Sequence, residues 1–279
     1  PDEAKNGVTI VSVGKTTDGR LSRMTRTVRR VYQKAMELDC DLYHFHDPEL
    51  LSISIMLKRK GKKVIYDVHE DVPKQTLSKH YLPVMIRQPL AWTISAVEWI
   101  GAKVFDAIVP ATPKIAERFP TAKTGTIQNF PIRDELVIDS PVSYQERPTV
   151  FIYVGGISPV RGAKEMVRAM AYFKDSPNVI LSLGGNFSPK VLYNELKILP
   201  EWQFVDYQGH VSREQVASLL NSARAGLVTL HPIINYLDSY SVKMFEYMSA
   251  WLPVIASDFP LWRQIIDGAG CGLLVDPLD

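Results

Sequence analysis

The sequence predicts an α/β fold with two Rossmann-like domains, each a doubly wound parallel sheet, that face each other across a cleft. Short apolar runs typical of buried strands alternate with helical segments throughout the 279 residues. A polar stretch with three prolines, residues 131–148, interrupts this alternation and is expected to be a linker. The predicted domains are therefore an N-terminal domain within residues 1–135 and a C-terminal domain at 148–279.

Five strand-like runs define the predicted N-terminal domain. They are "VTIVSV" (8–13), "DLYHFH" (41–46), "KKVIYDVH" (62–69), "AIVPA" (107–111) and "TGTIQNF" (124–130). Helical segments separate them: a basic helix at 22–38, a short helix after Asp47, a long helical region to about Phe105, and a short helix at 113–119. This order indicates a parallel sheet whose helices cover both faces.

The predicted C-terminal domain repeats the same alternation with six strands. They are "TVFIYV" (149–154), "NVILSLGG" (178–185), "WQFVDYQG" (202–209), "AGLVTLH" (225–231), "LPVIAS" (252–257) and "CGLLVD" (271–276). In open parallel sheets, ligands bind beyond the carboxyl ends of the strands. The residues that follow each strand are therefore the candidates for function.

Composition and charge exclude several classes of protein. The formal net charge is only +2, from 32 basic and 30 acidic side chains, which argues against a nucleic-acid partner. The two cysteines, Cys40 and Cys271, match no disulfide or zinc spacing and indicate a reducing, cytosolic compartment. Polar residues interrupt the most apolar stretch, 81–105, so it is not expected to span a membrane.

Histidines and carboxylates follow two strands of the N-terminal domain. "HFHD" contains His44, His46 and Asp47, and "DVHED" contains His69 and Asp71. One interpretation is a zinc or iron site, and with it a metal-dependent hydrolase. The alternative for His44 is a core or hydrogen-bonded histidine, whereas His69 stands at a strand end that points into the cleft.

A glycine-rich turn follows the first strand of the C-terminal domain, in "VGGISPVRGAKE" (154–165). Gly155 and Gly156 allow close approach of the backbone, and Arg161 precedes a helix start, where anions are favoured. A tight turn with a surface arginine is the alternative. No G-x-G-x-x-G follows any strand, and "VGKTTDG" (13–19) lacks the first glycine of a phosphate-binding P-loop, so no dinucleotide cofactor is expected.

The stretch "NYLDSYSVKMFEYMSAW" (235–251) predicts a loop that leads into an amphipathic helix near Ser241. The free N–H groups of that helix start could hold a phosphate. Glu246 could accept both hydroxyls of a ribose, and Asp238 could reach a second polyol. Together with the glycine-rich turn, this stretch suggests a nucleoside diphosphate that carries a sugar.

These residues give the chain a resemblance to the family 4 retaining glycosyltransferases of the GT-B fold, especially bacterial members that build surface polysaccharides and lipopolysaccharide. The E-x7-E motif of that family is similar to Asp238-x7-Glu246, followed by "YMSAWLPVIASDFP", with Trp251 at the usual glycine. The phosphate loop resembles "GGISPVRG", in which Arg161 replaces a lysine and Gly155 replaces an arginine. "DVHED" and "TIQNFP" match further segments of the family.

The resemblance implies a role for each of these residues. His69 and Asp238 would contact the transferred sugar as the catalytic pair, and Glu246 would bind the ribose. The remaining donor-binding residues would hold the diphosphate and line the base: Gly155, Gly156, Arg161, Gly185, His210, Tyr240, Ser241, Val242 and Lys243. Lys243 would reach the diphosphate or pair with Glu246.

The resemblance also implies the reaction. A UDP- or GDP-linked sugar would pass to a glycan or lipid-linked acceptor with retention, without a metal or other cofactor. A basic helix (Arg20, Arg23, Arg26, Arg29, Arg30) and the tryptophans Trp92 and Trp99 could rest on the inner membrane face. Amphipathic core packing explains the tryptophan helix at least as well. A nucleotide-sugar epimerase or a non-catalytic donor-binding subunit stays open. Family members have further segments at both ends, so we expect this chain to be truncated.

Overall fold

The computed structural model describes residues 3–14, 23–79, 82–132, 134–138, 142–176 and 178–279. The chain forms two compact units, Pro1–Gln128 and Asn129–Asp279. Each unit combines helices with a parallel sheet, which confirms the predicted α/β fold class. Arg20 and the predicted helix start at residue 22 lie outside the described residues. Among the described residues, no helix has the length and apolarity needed to cross a bilayer.

The first unit begins with an antiparallel hairpin, β1 (Glu3–Lys5) and β2 (Val8–Ile10), whose side chains are exposed. The predicted strand over 8–13 therefore forms only at Val8–Ile10, and the expectation that it is buried is wrong. The unit's parallel sheet has the order β3-β4-β5, with β3 at Leu42–Phe45, β4 at Lys63–Val68 and β5 at Ala107–Pro110. Its core packs Tyr66, Phe105 and Ile108, among others, between the sheet and the helices.

The α-helices of the first unit follow the predicted order. They are α1 (Val28–Leu38), α2 (Leu51–Arg59), α3 (Val72–Leu77), α4 (Val84–Val104) and α5 (Pro113–Ala116). The predicted strand at 124–130 forms only a single bridge, between Thr124 and Ile108. Beyond it, the chain runs beside β5 with the N–H groups of Gly125 and Ile127 donating to β5 carbonyls, which is too sparse for a strand.

The second unit contains a six-stranded parallel sheet of order β11-β10-β9-β6-β7-β8. The strands are β6 (Val150–Val154), β7 (Ile180–Gly184), β8 (Val205–Gly209), β9 (Ala225–Val228), β10 (Val254–Ser257) and β11 (Gly272–Val275). The α-helices are α6 (Ala163–Ala169), α7 (Val191–Lys197), α8 (Arg213–Ser222), α9 (Ile234–Leu237), α10 (Val242–Ser249) and α11 (Pro260–Ala269). Two hydrophobic clusters, one on each face, cover this sheet.

The strand order of the second unit reverses between β6 and β9. After β6 the chain moves outward through β7 and β8, then crosses back to place β9 on the other side of β6. Ligands of doubly wound sheets bind at such a switch point, beyond the carboxyl ends of the strands. Gly155 and Gly156 directly follow β6, and α10 lies on the connection between β9 and β10. The topology therefore directs both predicted phosphate-binding segments to this point.

A tyrosine fixes α10 against the switch point. β6 and β9 pair over only two positions, Phe151 with Ala225 and Ile152 with Gly226. Beyond them, the N–H of Val154 donates to the hydroxyl of Tyr247 at 3.1 Å. The Tyr247 ring is 1% exposed and fills the space above Gly226, where a Cβ would lie 2.3 Å from its Cδ2. The hydroxyl thus replaces a missing sheet partner and anchors the helix.

The described residues of the segment 131–148, which the sequence predicts to be a linker, belong to the second unit and contribute to its core. Leu136 is 1% exposed within one of that unit's hydrophobic clusters. Arg147 is also buried, and its Nη1 donates to the carbonyl of Ala223 at 3.3 Å. The polar composition of this segment conceals these anchors, because only a few of its side chains are apolar.

We expect Tyr247→Phe to destabilise the protein by about 1–3 kcal/mol, because the Val154 N–H stays buried without an acceptor. Chemical denaturation measures this loss. Tyr172→Phe is the matched control, since the Tyr172 side chain is 90% exposed and the loss of its hydroxyl should leave the unfolding midpoint unchanged. Equal midpoints for the two variants would show that the hydroxyl does not anchor α10.

Candidate functional site

Glycines lie at three neighbouring strand ends and are called here the glycine shelf: Gly155, Gly156, Gly184, Gly185 and Gly209. The N–H of Gly155 donates to the Gly184 carbonyl at 2.8 Å, and the N–H of Gly185 donates to the Gly209 carbonyl. A Cβ on Gly185 would lie 1.9 Å from the Gly155 oxygen, and both residues have φ above +130°. Only glycine fits at Gly155 and Gly185, and Gly156 is the exposed residue of the shelf, where the backbone is accessible to a ligand.

Arg161 lies over this shelf. Its Nη1 donates to the Gly156 carbonyl at 3.0 Å, and the Tyr153 hydroxyl donates to the same oxygen at 2.8 Å. The turn at Pro159–Arg161 ends at Gly162, whose φ is +74° and whose Cβ, if present, would lie 2.3 Å from the Thr229 carbonyl. Gly162 therefore lets the arginine turn pack directly on the end of β9.

Lys243 lies against the same shelf. A Cβ on Gly155 would be 2.7 Å from the Lys243 Cε, and the ammonium is 5.4 Å from the centre of the Tyr153 ring. Burial, and then the Arg161 charge, lower the pKa of Lys243 to about 8. Within the described part of the chain, Lys243 has no ion pair. Two cations beside exposed backbone favour an anionic ligand.

The start of α10 adds backbone N–H groups to this region. Ser241 is the N-cap residue, and the first N–H groups after it have no acceptor within the helix. The buried Trp262 fixes the preceding loop, because its Nε1 donates to the Ser239 carbonyl at 2.8 Å. The Tyr240 ring packs near Phe130. The loop is thus held with Ser241, Val242 and Lys243 at a defined helix start.

Glu246 is engaged by an arginine that sequence reasoning missed. Arg213 Nη1 lies 2.7 Å from Glu246 Oε1, and the other guanidinium nitrogens contact Glu135. The hydrogen bond to Glu135, and then the one to Glu246, raise the pKa of Arg213 above the ordinary value of arginine, so its guanidinium stays charged. Glu135 lies in the segment predicted as a linker, so no sequence motif connects the three side chains.

The remaining predicted residues of the second unit lie in loops at strand ends or near α10. Asp238 is exposed directly after α9. His210 is exposed directly after β8. Gly185 belongs to the glycine shelf. The described structure therefore brings Gly155, Gly156, Arg161, Gly185 and Lys243 together, whereas Asp238 and His210 project from flanking loops.

In the first unit, His69 belongs to a cluster around a carboxylate that sequence reasoning overlooked. Asp67 lies 3.1–3.2 Å from nitrogens of His44, His46 and His69. Asp67 precedes His69 by two residues, so the strand's period of two could have identified it. Asp71, which the sequence pattern groups with the histidines, instead accepts the Lys74 N–H at the start of α3 and pairs with Arg118.

Comparison with solved structures defines the class of the fold. WaaG, a glycosyltransferase involved in lipopolysaccharide biosynthesis, has a TM-score of 0.70 at 14% identity, over 98% of this chain and 75% of that chain. The Anabaena protein HepE, solved in complex with UDP, has a TM-score of 0.66 at 17% identity, over 92% and 70%. The sucrose-phosphate synthase of Thermosynechococcus elongatus has a TM-score of 0.67 at 18% sequence identity, over 99% of this chain and 72% of that chain. The fold is that of GT-B glycosyltransferases.

The family follows from the sequence of the second unit. The model of the family "Glycosyl transferases group 1" matches residues 138–279, which is just over half of the chain. The protein belongs to the group 1 glycosyltransferases. Comparison with curated protein sequences gave no significant match.

We expect Gly162→Ala to destabilise the protein by at least about 1–2 kcal/mol, which is the cost of a side chain in the left-handed region. The steric overlap of the new Cβ with the Thr229 carbonyl adds to this cost. Gly268→Ala is the control. Gly268 lies within α11, and a Cβ there would meet open space, so alanine should stabilise the helix by about 0.5–1 kcal/mol. Denaturant midpoints that move in the same direction would refute this account of Gly162.

The lowered pKa of Lys243 predicts a pH dependence of stability. Between about pH 8 and 10.5 the unfolded chain holds a proton that the folded protein lacks, so this group makes stability rise with pH. Below about pH 8 Lys243 is charged in both the folded and the unfolded protein, so the full cost of burying its ammonium lowers the stability. We therefore expect Lys243→Met to be more stable than the parent at pH 7 and to lose the rise. The control Lys174→Met, which alters an exposed lysine, should show the same dependence of stability on pH as the parent. If the stability of Lys243→Met also followed the parent's pH dependence, the lowered pKa of Lys243 would be contradicted.

Proposed function

We propose that this protein transfers a hexose-type sugar, with retention of configuration, from a UDP- or GDP-linked donor to a glycan or lipid-linked acceptor. The observation that carries the proposal is the convergence of the glycine shelf, Arg161, Lys243 and the start of α10 at the switch point of the second unit. Backbone N–H groups, two cations and a helix N-terminus suit a diphosphate. The UDP complex of HepE supports a uridine nucleotide as the first donor to test.

In this proposal the cations and backbone take the role of a metal ion. The β-phosphate gains negative charge as the sugar departs, and preorganised positive groups stabilise that charge. Arg161 and Lys243 supply full charges, and the Ser241–Lys243 backbone supplies partial ones. A bound diphosphate would also raise the pKa of Lys243 and keep its ammonium charged. The transfer step therefore needs no metal on the diphosphate.

Glu246 is assigned to the ribose and exchanges partners when the nucleotide binds. Its carboxylate can accept hydrogen bonds from two neighbouring hydroxyls, and Arg213 occupies one of its oxygens in the structure. Arg213 keeps Glu135 as a partner, so release of Glu246 does not leave an unpaired guanidinium. Gly185 and His210 are assigned to the base.

The sugar is assigned to Asp238 and His69. An acceptor hydroxyl would attack from the face that the diphosphate leaves, which gives retention without a protein nucleophile. The acceptor is proposed to be a surface-polysaccharide or lipopolysaccharide precursor at the cytoplasmic membrane face. Trp92 and Trp99 support such a peripheral contact, because their side chains on α4 are 66% and 58% exposed. The match to the group 1 glycosyltransferase family and the similar solved structures do not favour a hydrolase or an epimerase.

We expect Glu246→Ala to abolish the thermal shift that UDP or GDP produces in the parent, because the ribose loses its acceptor. A panel of nucleotide sugars, with the anomeric configuration of any product read by NMR, then tests transfer and retention.

Glu135→Ala is the matched control for this variant. It also removes a carboxylate from Arg213, but Glu135 is not assigned to the nucleotide, so the shift should persist. A full shift in Glu246→Ala would remove the ribose assignment. Loss of the shift in both variants would mean that disturbance of Arg213, and not the ribose contact, explains the result.

A further inference from the structure

Two neighbouring strands of the first unit place three potential metal ligands on one face. In the parallel pairing of β3 with β4, His44 lies opposite Ile65 and Phe45 opposite Tyr66. Continuation of that register brings His46 beside Asp67. Because side chains alternate between faces, His44, His46 and Asp67 project to the same side, while Phe45 and Tyr66 enter the core.

The distances within this group suit a single metal ion. His44 Nε2 and His46 Nδ1 lie 3.2 and 3.1 Å from Asp67 Oδ2, and one ligand atom from each residue lies within 4.8 Å of the other two. A tetrahedral ion with ligand bonds of about 2.0–2.2 Å holds its ligand atoms roughly 3.4 Å apart. Small rotations of the two imidazoles would therefore bring all three atoms into the coordination shell.

Burial and access also fit a metal site. The Asp67 side chain is 13% exposed and forms the floor, whereas the rings of His44 and His46 are 45% and 57% exposed. A cavity of about 810 Å³ in the first unit is lined by His46 and His69. His69 Nε2 lies 3.0 Å from His46 Nδ1, so it stands at the edge of the ligand group. The cavity therefore reaches the ligand group at its His46 edge, beside His69.

We propose that His44, His46 and Asp67 bind one divalent transition-metal ion of the zinc class, with the remaining coordination position toward His69 and the cavity. Two imidazoles and one carboxylate match the ligand preferences of zinc and its neighbours in the first transition row, and not those of calcium or magnesium. The site belongs to the first unit and shares none of its three ligands with the residues assigned to the donor. The inference therefore does not rest on the proposed transfer reaction.

Titration with cobalt tests this proposal. The untagged full chain is dialysed against a chelator, freed of the chelator, and titrated with Co²⁺ while the visible absorption is recorded. We expect one equivalent to produce the d–d bands of four- or five-coordinate cobalt, and Zn²⁺ to abolish them by displacement. His46→Ala and Asp67→Asn should each weaken binding at least about 10–100-fold, since loss even of outer-shell partners has effects of that size.

His210→Ala is the control, because it removes an exposed histidine of the other unit. It should leave the stoichiometry and affinity unchanged. Far-UV circular dichroism and thermal unfolding in chelator report whether each variant is folded, and the His44→Ala/His46→Ala double variant, which alters only half-exposed rings, provides a second test. Absence of a stoichiometric cobalt band in the parent, or equal affinity in the folded double variant, would overturn the proposal and leave a metal-free histidine–carboxylate network.

Discussion

The arrangement of the second unit's site depends on the hydrogen bond between the Val154 N–H and the Tyr247 hydroxyl. β6 and β9 must separate at the switch point if a ligand is to enter between their ends, and separation leaves backbone groups without sheet partners. Tyr247 supplies the missing acceptor from α10. Gly226 makes room for its ring on the neighbouring strand. A single buried side chain thus keeps the sheet open and positions the helix start beside the glycine shelf.

Electrostatics then determine what this opening can bind. Lys243 and Arg161 lie beside the same glycine backbone, and burial together with their proximity depresses the pKa of the lysine. Such crowding of positive charge disfavours the ligand-free state and is relieved by an anion. Glu246 offsets this effect only in part, because its charge raises the pKa of Lys243 less than burial and Arg161 lower it, and Arg213 holds one of its oxygens. These charges support the proposed placement of the diphosphate beside Lys243 and Arg161 and of the ribose hydroxyls beside Glu246.

Sequence patterns identify the fold class, because strand alternation is a local signal. They also select the glycine-rich turn and the helix start that are proposed to hold the phosphate. The structure places Lys243 against Gly155, whereas the sequence leaves it open whether this lysine reaches the diphosphate or pairs with Glu246. Local patterns do not reveal Arg213, Glu135 or Trp262, since each acts through a partner that is distant in sequence. Asp67 differs from these, because its spacing from His69 along the predicted strand is a local signal. The packing of the described part of segment 131–148 is hidden for the same reason, because its anchor Leu136 stands among prolines and charged residues without a helical or strand period. Contacts of this kind depend on tertiary packing.

A difference electron-density map from crystals of the full chain soaked in UDP tests the central claim most directly. The diphosphate should lie on Gly155 and Gly156, with its oxygens within hydrogen-bond distance of Lys243 and the Val242 N–H. The ribose hydroxyls should contact Glu246, with Arg213 turned toward Glu135. Nucleotide density at any other place, or none at the switch point at a saturating concentration, would contradict the account.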